Sequence, residues 1–416
     1  MTNQNKNSQA LLMWSFPLLF FAFQFILRLW PGLMMQEFMQ QYAIDAAGFG
    51  LIAAFYYYGY AGMQVPTAIL LDKFGAKKVI FVFALFCGAG AYLFTISSNF
   101  YIALLSRFMI GAGSAVGILG VSKVVSDWFD KGQYAKMIGF SFSLGLIGAV
   151  YGGKPLSKWL AVYGGYRVGI TLAIVISVLG FLCFITLRQP KNNNDSFEKL
   201  RFSNFISLLS SPIIWAVAMA NLLMVGALEG FADVWGVPYL MTAYSFGKTD
   251  AAFLASLIFV GMIAGGPLMA WFGKKFGNYL SICLCGVGLA VIFLFLLAQT
   301  FSSSLALSIL LFSVGVLCSY QVLIFAVGSS MVSSSYAGVT VAFLNCINML
   351  GGSLFHTVIG KIMSYYGNEA SGFSTTAFQH ALSIIPICAL LGTGCIYIVK
   401  LRVTHTKKSS QFLLTQ

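Results

Sequence analysis

Long apolar runs broken by short polar connectors make up nearly the whole chain. The runs fall near 11–33, 48–71, 77–97, 101–126, 137–160, 166–187, 212–241, 250–273, 278–298, 303–328, 337–363 and 377–400. A hydrocarbon core about 30 Å thick needs roughly 20 apolar residues per helix, so the pattern predicts twelve transmembrane helices. Connectors such as Ser97–Phe100 are so short that sequence neighbours must lie antiparallel. One break is long. It begins LRQPKNNNDSFEKLRFSN and carries Pro190 and a run of asparagines, which predicts a flexible linker with an amphipathic stretch resting on the membrane surface. The expected organisation is a tail at 1–10, a six-helix bundle at 11–187, a linker at 188–211, a second bundle at 212–400 and a tail at 401–416.

The two halves share a repeated turn. Gly59 to Lys78 reads GYAGMQVPTAILLDKFGAKK, and Gly261 to Gly277 reads GMIAGGPLMAWFGKKFG. Setting Gly75 against Gly277 also pairs Phe74 with Phe276, Lys73 with Lys275 and Gly59 with Gly261. Such a repeat at half the chain length points to duplication. Both halves start and end on one side, so a pseudo-two-fold axis along the membrane normal is expected, with a substrate path between the halves.

Composition agrees. Of 416 residues, 59% are hydrophobic and 8% charged, and mean hydropathy is +0.87. A soluble domain carries about 25% charged residues, so this chain lacks the polar surface to face water. The net charge of +13 would suit nucleic acid if it were clustered. Instead most Lys and Arg fall at alternate segment ends, including Lys73, Lys77, Lys78, Lys131, Lys136, Arg188, Lys274, Lys275, Lys400 and Arg402. That bias places both termini and the linker in the cytoplasm and leaves no case for a nucleic-acid partner. The eight cysteines lie inside apolar runs with no CxxC or Cys/His spacing, which fits small buried hydrophobes. No metal-ligand cluster, nucleophile–base arrangement or phosphate loop is legible, so no enzyme activity and no cofactor are expected.

Asp72-Lys-Phe-Gly75-Ala-Lys77-Lys78 after the second span resembles the signature loop of the major facilitator superfamily. Ala68 stands where that loop begins with Gly. Arg107-Phe-Met-Ile-Gly111-Ala-Gly113 is similar to the superfamily's Arg-initiated motif in the fourth span, and Tyr166-Arg167 to its Trp-Arg pair. Within the superfamily, Arg28-Leu-Trp-Pro31 and Asn348-Met-Leu-Gly-Gly352 resemble the branch of lysosomal dipeptide uniporters and of phagosomal transporters of intracellular bacteria. The resemblance implies an all-α membrane protein of twelve transmembrane helices in two pseudo-symmetric six-helix bundles. It also implies alternating access, with Asp72, Lys73, Gly75, Lys77 and Lys78 forming a gate that latches the halves at the start of the eleventh helix. Lys274 replaces the Asp in the second half, so the duplicate latch is lost. The expected setting is a bacterial inner membrane, with the protein as a monomer.

The candidate substrate residues are the polar groups at helix depth. Arg28 lies deep in the first span, where an arginine costs about 2.5–3.5 kcal/mol on insertion scales. Gln24 stands one turn away on the same face. The repeat offset sets Arg28 opposite Gly230, beside Glu229. Glu229 and Asp233 are also four residues apart, with Asn221 two turns earlier. This pairing suits a zwitterion, its carboxylate held by Arg28 and its amine by Glu229 or Asp233. Two other readings stand beside it: an Arg28–Glu229 ion pair that closes the outer gate, and proton coupling at Glu229 or Asp233. The resemblance implies a part in proton coupling for Arg107. Arg107 could also snorkel to the outer surface. Gln321, Asn345 and Asn348 mark the cavity face of the second half, or else helix–helix hydrogen bonds. Of Tyr56, Tyr57, Tyr58 and Tyr60, only one or two can line a pocket. Trp30 and Trp235 fit an interfacial belt, Lys123 and Asp127 a structural pair, and His356 and His380 structural roles, with pH sensing as the alternative. The expected cargo is a small polar metabolite, an amino acid or short peptide, moved by uniport or with protons. The alternatives are export of a siderophore-like or lipophilic compound, and a non-transporting receptor of the same descent.

Overall fold

The structure, a computed structural model, describes residues 3–188, 210–333, 336–367 and 373–413. The expected linker therefore lies almost wholly outside the described residues. Ten helices among them are long and apolar enough to cross a bilayer. Two of these, Ala46–Ile96 with 51 residues and Tyr134–Thr186 with 53, are twice the length a bilayer needs. Each turns at a glycine with positive φ, Gly75 (φ 78°) and Gly164 (φ 77°), so the chain crosses twelve times. The spans are α1 (Ser8–Leu33), α2 (46–74), α3 (76–96), α4 (Phe100–Trp128), α5 (134–163), α6 (165–186), α7 (Pro212–Tyr244), α8 (Lys248–Phe276), α9 (Asn278–Leu297), α10 (Ser304–Ser330), α11 (Gly338–Tyr366) and α12 (Thr375–Thr404).

The duplication is visible in the backbone. Gly277, between α8 and α9, has φ 84° and ψ 145°, and Gly75, between α2 and α3, has φ 78° and ψ 161°. That region is open to glycine and strained for other residues, so the same sharp turn depends on glycine in both halves. Helix crossings repeat too. Gly59 of α2 lies on the Phe108 carbonyl of α4, and Gly111 of α4 on the Tyr56 carbonyl of α2. In the second half Gly261 of α8 lies on the Phe312 carbonyl of α10, and Gly315 of α10 on the Ile258 carbonyl of α8. A Cβ at any of the four would overlap backbone, so glycine here sets the distance at which two helices cross.

The halves meet along α2 with α11, α5 with α8 and α1 with α7. Contact is concentrated away from the Asp72 turn, on what is here termed the far face; the Asp72 side is the basic face. Near the far face Gly50 and Gly360 bring α2 and α11 into backbone contact, and Gly32 lies against the Val234 backbone. Polar clips join the halves there, among them these. Ser364 donates to Asp45 at 2.7 Å, Lys248 pairs with Glu37 at 2.5 Å, and Lys154 with Asp250 at 3.7 Å. Toward the basic face, Cys346 reaches the Ala61 carbonyl at 3.5 Å. Beyond it, among the described residues, nothing lies within 4 Å of where a Cβ on Gly62 or Gly338 would stand. The bundle is closed at the far face, and the close backbone contacts of the seam are gathered there.

Side-chain packing corrects one expectation. Trp30 and Trp235 are fully buried and not interfacial. Trp30 packs edge-on to Phe38 and Phe94 beneath the short helix Met35–Tyr42, and Trp235 edge-on to Phe49 across the seam. Helix ends that look like belt positions along the sequence are covered by packing, Trp30 within its own half and Trp235 across the seam.

Candidate functional site: a charged cluster across the seam

Arg28 is buried on α1, facing a stretch of α7 that is wound as a π-helix, Gly226–Trp235. Pro238, just beyond it, has no N–H to return to the preceding turn, and the chain there closes i→i−5 instead, as in Gly236 N–H to the Phe231 carbonyl. Wide turns of this kind recur at functional sites. They keep Glu229 and Asp233, four residues apart, on one side.

Arg28 binds both. Its Nη2 pairs with Glu229 Oε2 and its Nε with Asp233 Oδ2. Tyr57 of α2 completes the group: its hydroxyl reaches Glu229 Oε2 at 2.9 Å and also Asp233 Oδ2, and its ring lies 5.1 Å from the guanidinium carbon. Arg28, Glu229 and Asp233 are 6%, 2% and 2% exposed. An opposite-charge cluster so removed from water holds only while every member keeps a partner. One hydroxyl hydrogen is shared between the two carboxylates, and a proton on Glu229 or Asp233 would let the group make a second full hydrogen bond. The other Asp233 oxygen, Oδ1, is buried without a partner.

Tyr57 was legible only as one of four tyrosines. The structure separates them: Tyr57 joins the charged cluster, Tyr56 donates to Gln24 at 2.9 Å, Tyr60 is buried, and Tyr58 is 40% exposed. Gln24 is thus buried one turn below Arg28, on a different partner.

Arg107 does not snorkel. It is 1% exposed, donates from Nη1 to the Leu27 carbonyl at 2.9 Å, and lies over the Tyr56 ring at 4.9 Å. Pro31 in the interior of α1 cannot donate to the carbonyl four residues back. That carbonyl belongs to Leu27, and Arg107 satisfies it, right beside Arg28.

The second-half amides lie one to two turns nearer the basic face. Asn221 donates to the Leu344 carbonyl at 3.4 Å and leaves its own oxygen unpartnered. Gln321 donates to Asn348 at 3.4 Å, joining α10 to α11. Asn345 is half-buried on α11. The structure brings Arg28, Glu229, Asp233 and Tyr57 together and leaves these amides as a separate polar shelf below.

At the basic face Asp72 is about half exposed and pairs with Lys123 at 4.0 Å within its own half. Lys123 also binds Asp127 at 3.2 Å. Lys77 lies over the Phe184 ring of α6 and Lys73 over Phe74, while Lys78 is exposed. Among the described residues, the ion-pair partner of Asp72 is Lys123 of its own half.

The sequence profile of the Major Facilitator Superfamily matches residues 12–356. The "Quinolone resistance transporter" of Acinetobacter baumannii is 22% identical and covers 85% of this chain and 86% of its own. The Escherichia coli protein named "Probable galactarate/D-glucarate transporter GudP" is 22% identical over 58% of this chain. That match spans 62% of GudP, and the match to a Campylobacter jejuni protein spans 64% of it, so each covers less than two thirds of the relative's length. Among solved structures, the nucleoside transporter NupG has a TM-score of 0.77 at 14% identity, covering 93% of this chain and 99% of its own. A bacterial homolog of the human lysosomal transporter Spinster, inward-facing and unoccupied, has a TM-score of 0.69 at 17% identity, covering 96% of both chains. With twelve crossings, two like halves and a profile match over most of its length, the chain belongs to the Major Facilitator Superfamily of membrane transporters.

Proposed function

We propose that this protein is a secondary transporter for a small carboxylate-bearing metabolite, an amino acid or short peptide, which Arg28, Glu229 and Asp233 bind at the seam between the halves. The observation that carries this is the pairing of Arg28 in one half with both acids of the other. When the far face opens, α1 and α7 part and three buried charges lose their partners. Breaking such a cluster one-sidedly costs about 3–5 kcal/mol. A zwitterion removes that cost from both sides at once, giving its carboxylate to Arg28 and its amine to an acid. Binding energy for the separated halves and for the cargo is then the same set of contacts, which is what alternating access requires.

A second reading follows from the two carboxylates that share the Tyr57 hydroxyl and from the sugar-acid name of one relative. A sugar acid has no amine, but one proton on Glu229 or Asp233 would balance its charge, giving anion–proton symport. The Glu229→Gln variant in proteoliposomes separates the two. Loss of both counterflow exchange and pH-gradient-driven uptake, by about tenfold or more, supports the amine role. Loss of gradient-driven uptake with exchange retained supports the proton role. If both activities persist, neither role stands.

The same proposal places the basic face, both tails and the linker 188–211 in the cytoplasm of a bacterial inner membrane, with the monomer as the transporting unit. It also makes Asp72 the latch of the far-open state. Asp72→Asn is expected to lower uptake about two- to fivefold, the worth of an exposed pair, at an unchanged yield of folded protein. Unchanged uptake at equal expression counts against the latch.

A further inference from the structure

On α11, Gly352, His356, Gly360 and Ser364 stand at every fourth position against α2 and the residue that caps it. This ridge holds no apolar side chain. Gly352 receives the Tyr57 ring, Gly360 meets the Ala46 carbonyl, and Ser364 reaches Asp45. Two of its four positions are glycines that admit close approach, and between them stands an imidazole.

His356 is fully buried, and neither ring nitrogen has a hydrogen-bond partner. Its ring centroid is 5.2 Å from that of Tyr57, whose hydroxyl holds Glu229 and Asp233. The charges that act on it from neighbouring helices are Arg28 of α1 and Arg107 of α4. A histidine kept for packing would be expected to use at least one nitrogen. This one uses neither in the far-closed state, although the position is tight and an apolar ring of the same size would leave no polar atom stranded. A ridge without apolar side chains fits the wall of a water-filled route better than a permanent helix seam.

We propose that His356 is a specificity-determining residue of the substrate site. When α2 and α11 part, its imidazole pairs with a hydroxyl or amide group of the substrate, next to the carboxylate held by Arg28. An imidazole with one N–H offers a donor on one nitrogen and an acceptor on the other, which matches groups that both give and take a hydrogen bond. This rests on the carboxylate reading of Arg28 and adds to it the neighbouring part of the ligand.

The test uses the purified full-length chain and two pairs of probes. Glycylglycine and 5-aminopentanoate have equal chain length and differ by the amide; D-gluconate and hexanoate differ by the hydroxyls. Protection against thermal unfolding is measured against probe concentration. For the wild type, the polar member of at least one pair is expected to protect at a concentration about tenfold or more below its apolar partner, as sites built to hydrogen-bond discriminate. His356→Phe is expected to bring that ratio near unity, leave protection by the apolar partner in place, and raise the unliganded melting temperature by removing two stranded nitrogens. His356→Asn, which keeps a donor and an acceptor, is expected to retain part of the preference. A wild-type preference that survives in His356→Phe overturns the proposal, as does a wild type protected equally by both members of each pair. A His356→Phe protein that melts lower with its preference intact shows a structural imidazole. If no probe protects the wild type, the carboxylate reading fails and this inference falls with it.

Discussion

Arg28→Met is expected to abolish transport and to destabilise the protein more than any other single change in the cluster. The substitution keeps a long side chain in the same space but strands Glu229 and Asp233, two buried acids whose ion pairs both run to this one guanidinium. Removing one partner of a buried ionic group costs about 3–5 kcal/mol, while replacing the whole group with neutral residues is often close to neutral. The triple variant Arg28→Met/Glu229→Gln/Asp233→Asn is therefore expected to recover most of the thermal stability lost by Arg28→Met and none of the uptake. Melting curves and proteoliposome uptake on the four single and triple variants separate the two properties. Wild-type melting in Arg28→Met would mean that the cluster is hydrated and not the sealed network described above.

Gly50→Ala is expected to hold the far face open. A Cβ on Gly50 would overlap the His356 carbonyl, with the Gly360 backbone immediately behind it, so neither neighbour can rotate away as a side chain would. Overpacking of this kind costs about 1–3 kcal/mol. The contact exists only when α2 and α11 are closed at the far face, so the cost falls on that state and shifts the closed-to-open ratio by roughly five- to 150-fold. Spin labels at Tyr101 of α4 and Tyr365 of α11, which are 77% and 82% exposed at the far face, report the change as a longer interlabel distance. Uptake falls because the closed half of the cycle is rarely reached, whereas substrate binding from the far side is preserved. An unchanged distance distribution in Gly50→Ala would show that the seam yields locally, and that the glycine contact does not govern gating.

The two predictions draw on one arrangement. Glycines let α2 and α11 approach until the charged cluster is sealed, and the sealed cluster makes closure depend on what neutralises it. The ion pairs Glu37–Lys248 and Lys154–Asp250 add to closure only modestly, since exposed pairs are worth up to about 1 kcal/mol each.

Much of this was legible along the chain because it rests on local or periodic properties. The twelve crossings follow from the length of apolar runs against a fixed bilayer thickness. The matching turns at Gly75 and Gly277 follow from a repeat that includes glycine where φ must be positive. The pairing of Arg28 with Glu229 and Asp233 was in reach because intramembrane charges are too costly to stand alone, and the repeat offset set them at one depth. Periodicity cannot assign a side chain to one of two neighbours on crossing helices. Tyr57 was therefore hidden among four tyrosines, the two tryptophans were misplaced to the surface, and Arg107 was left with a snorkelling alternative that its contact with the Leu27 carbonyl rules out. The amino-acid order by itself determined the number of spans, the duplication and the residues that had to find partners. Only the tertiary structure decided which partners they found and at which face the halves close, because that choice is made by helix crossings between residues some two hundred positions apart.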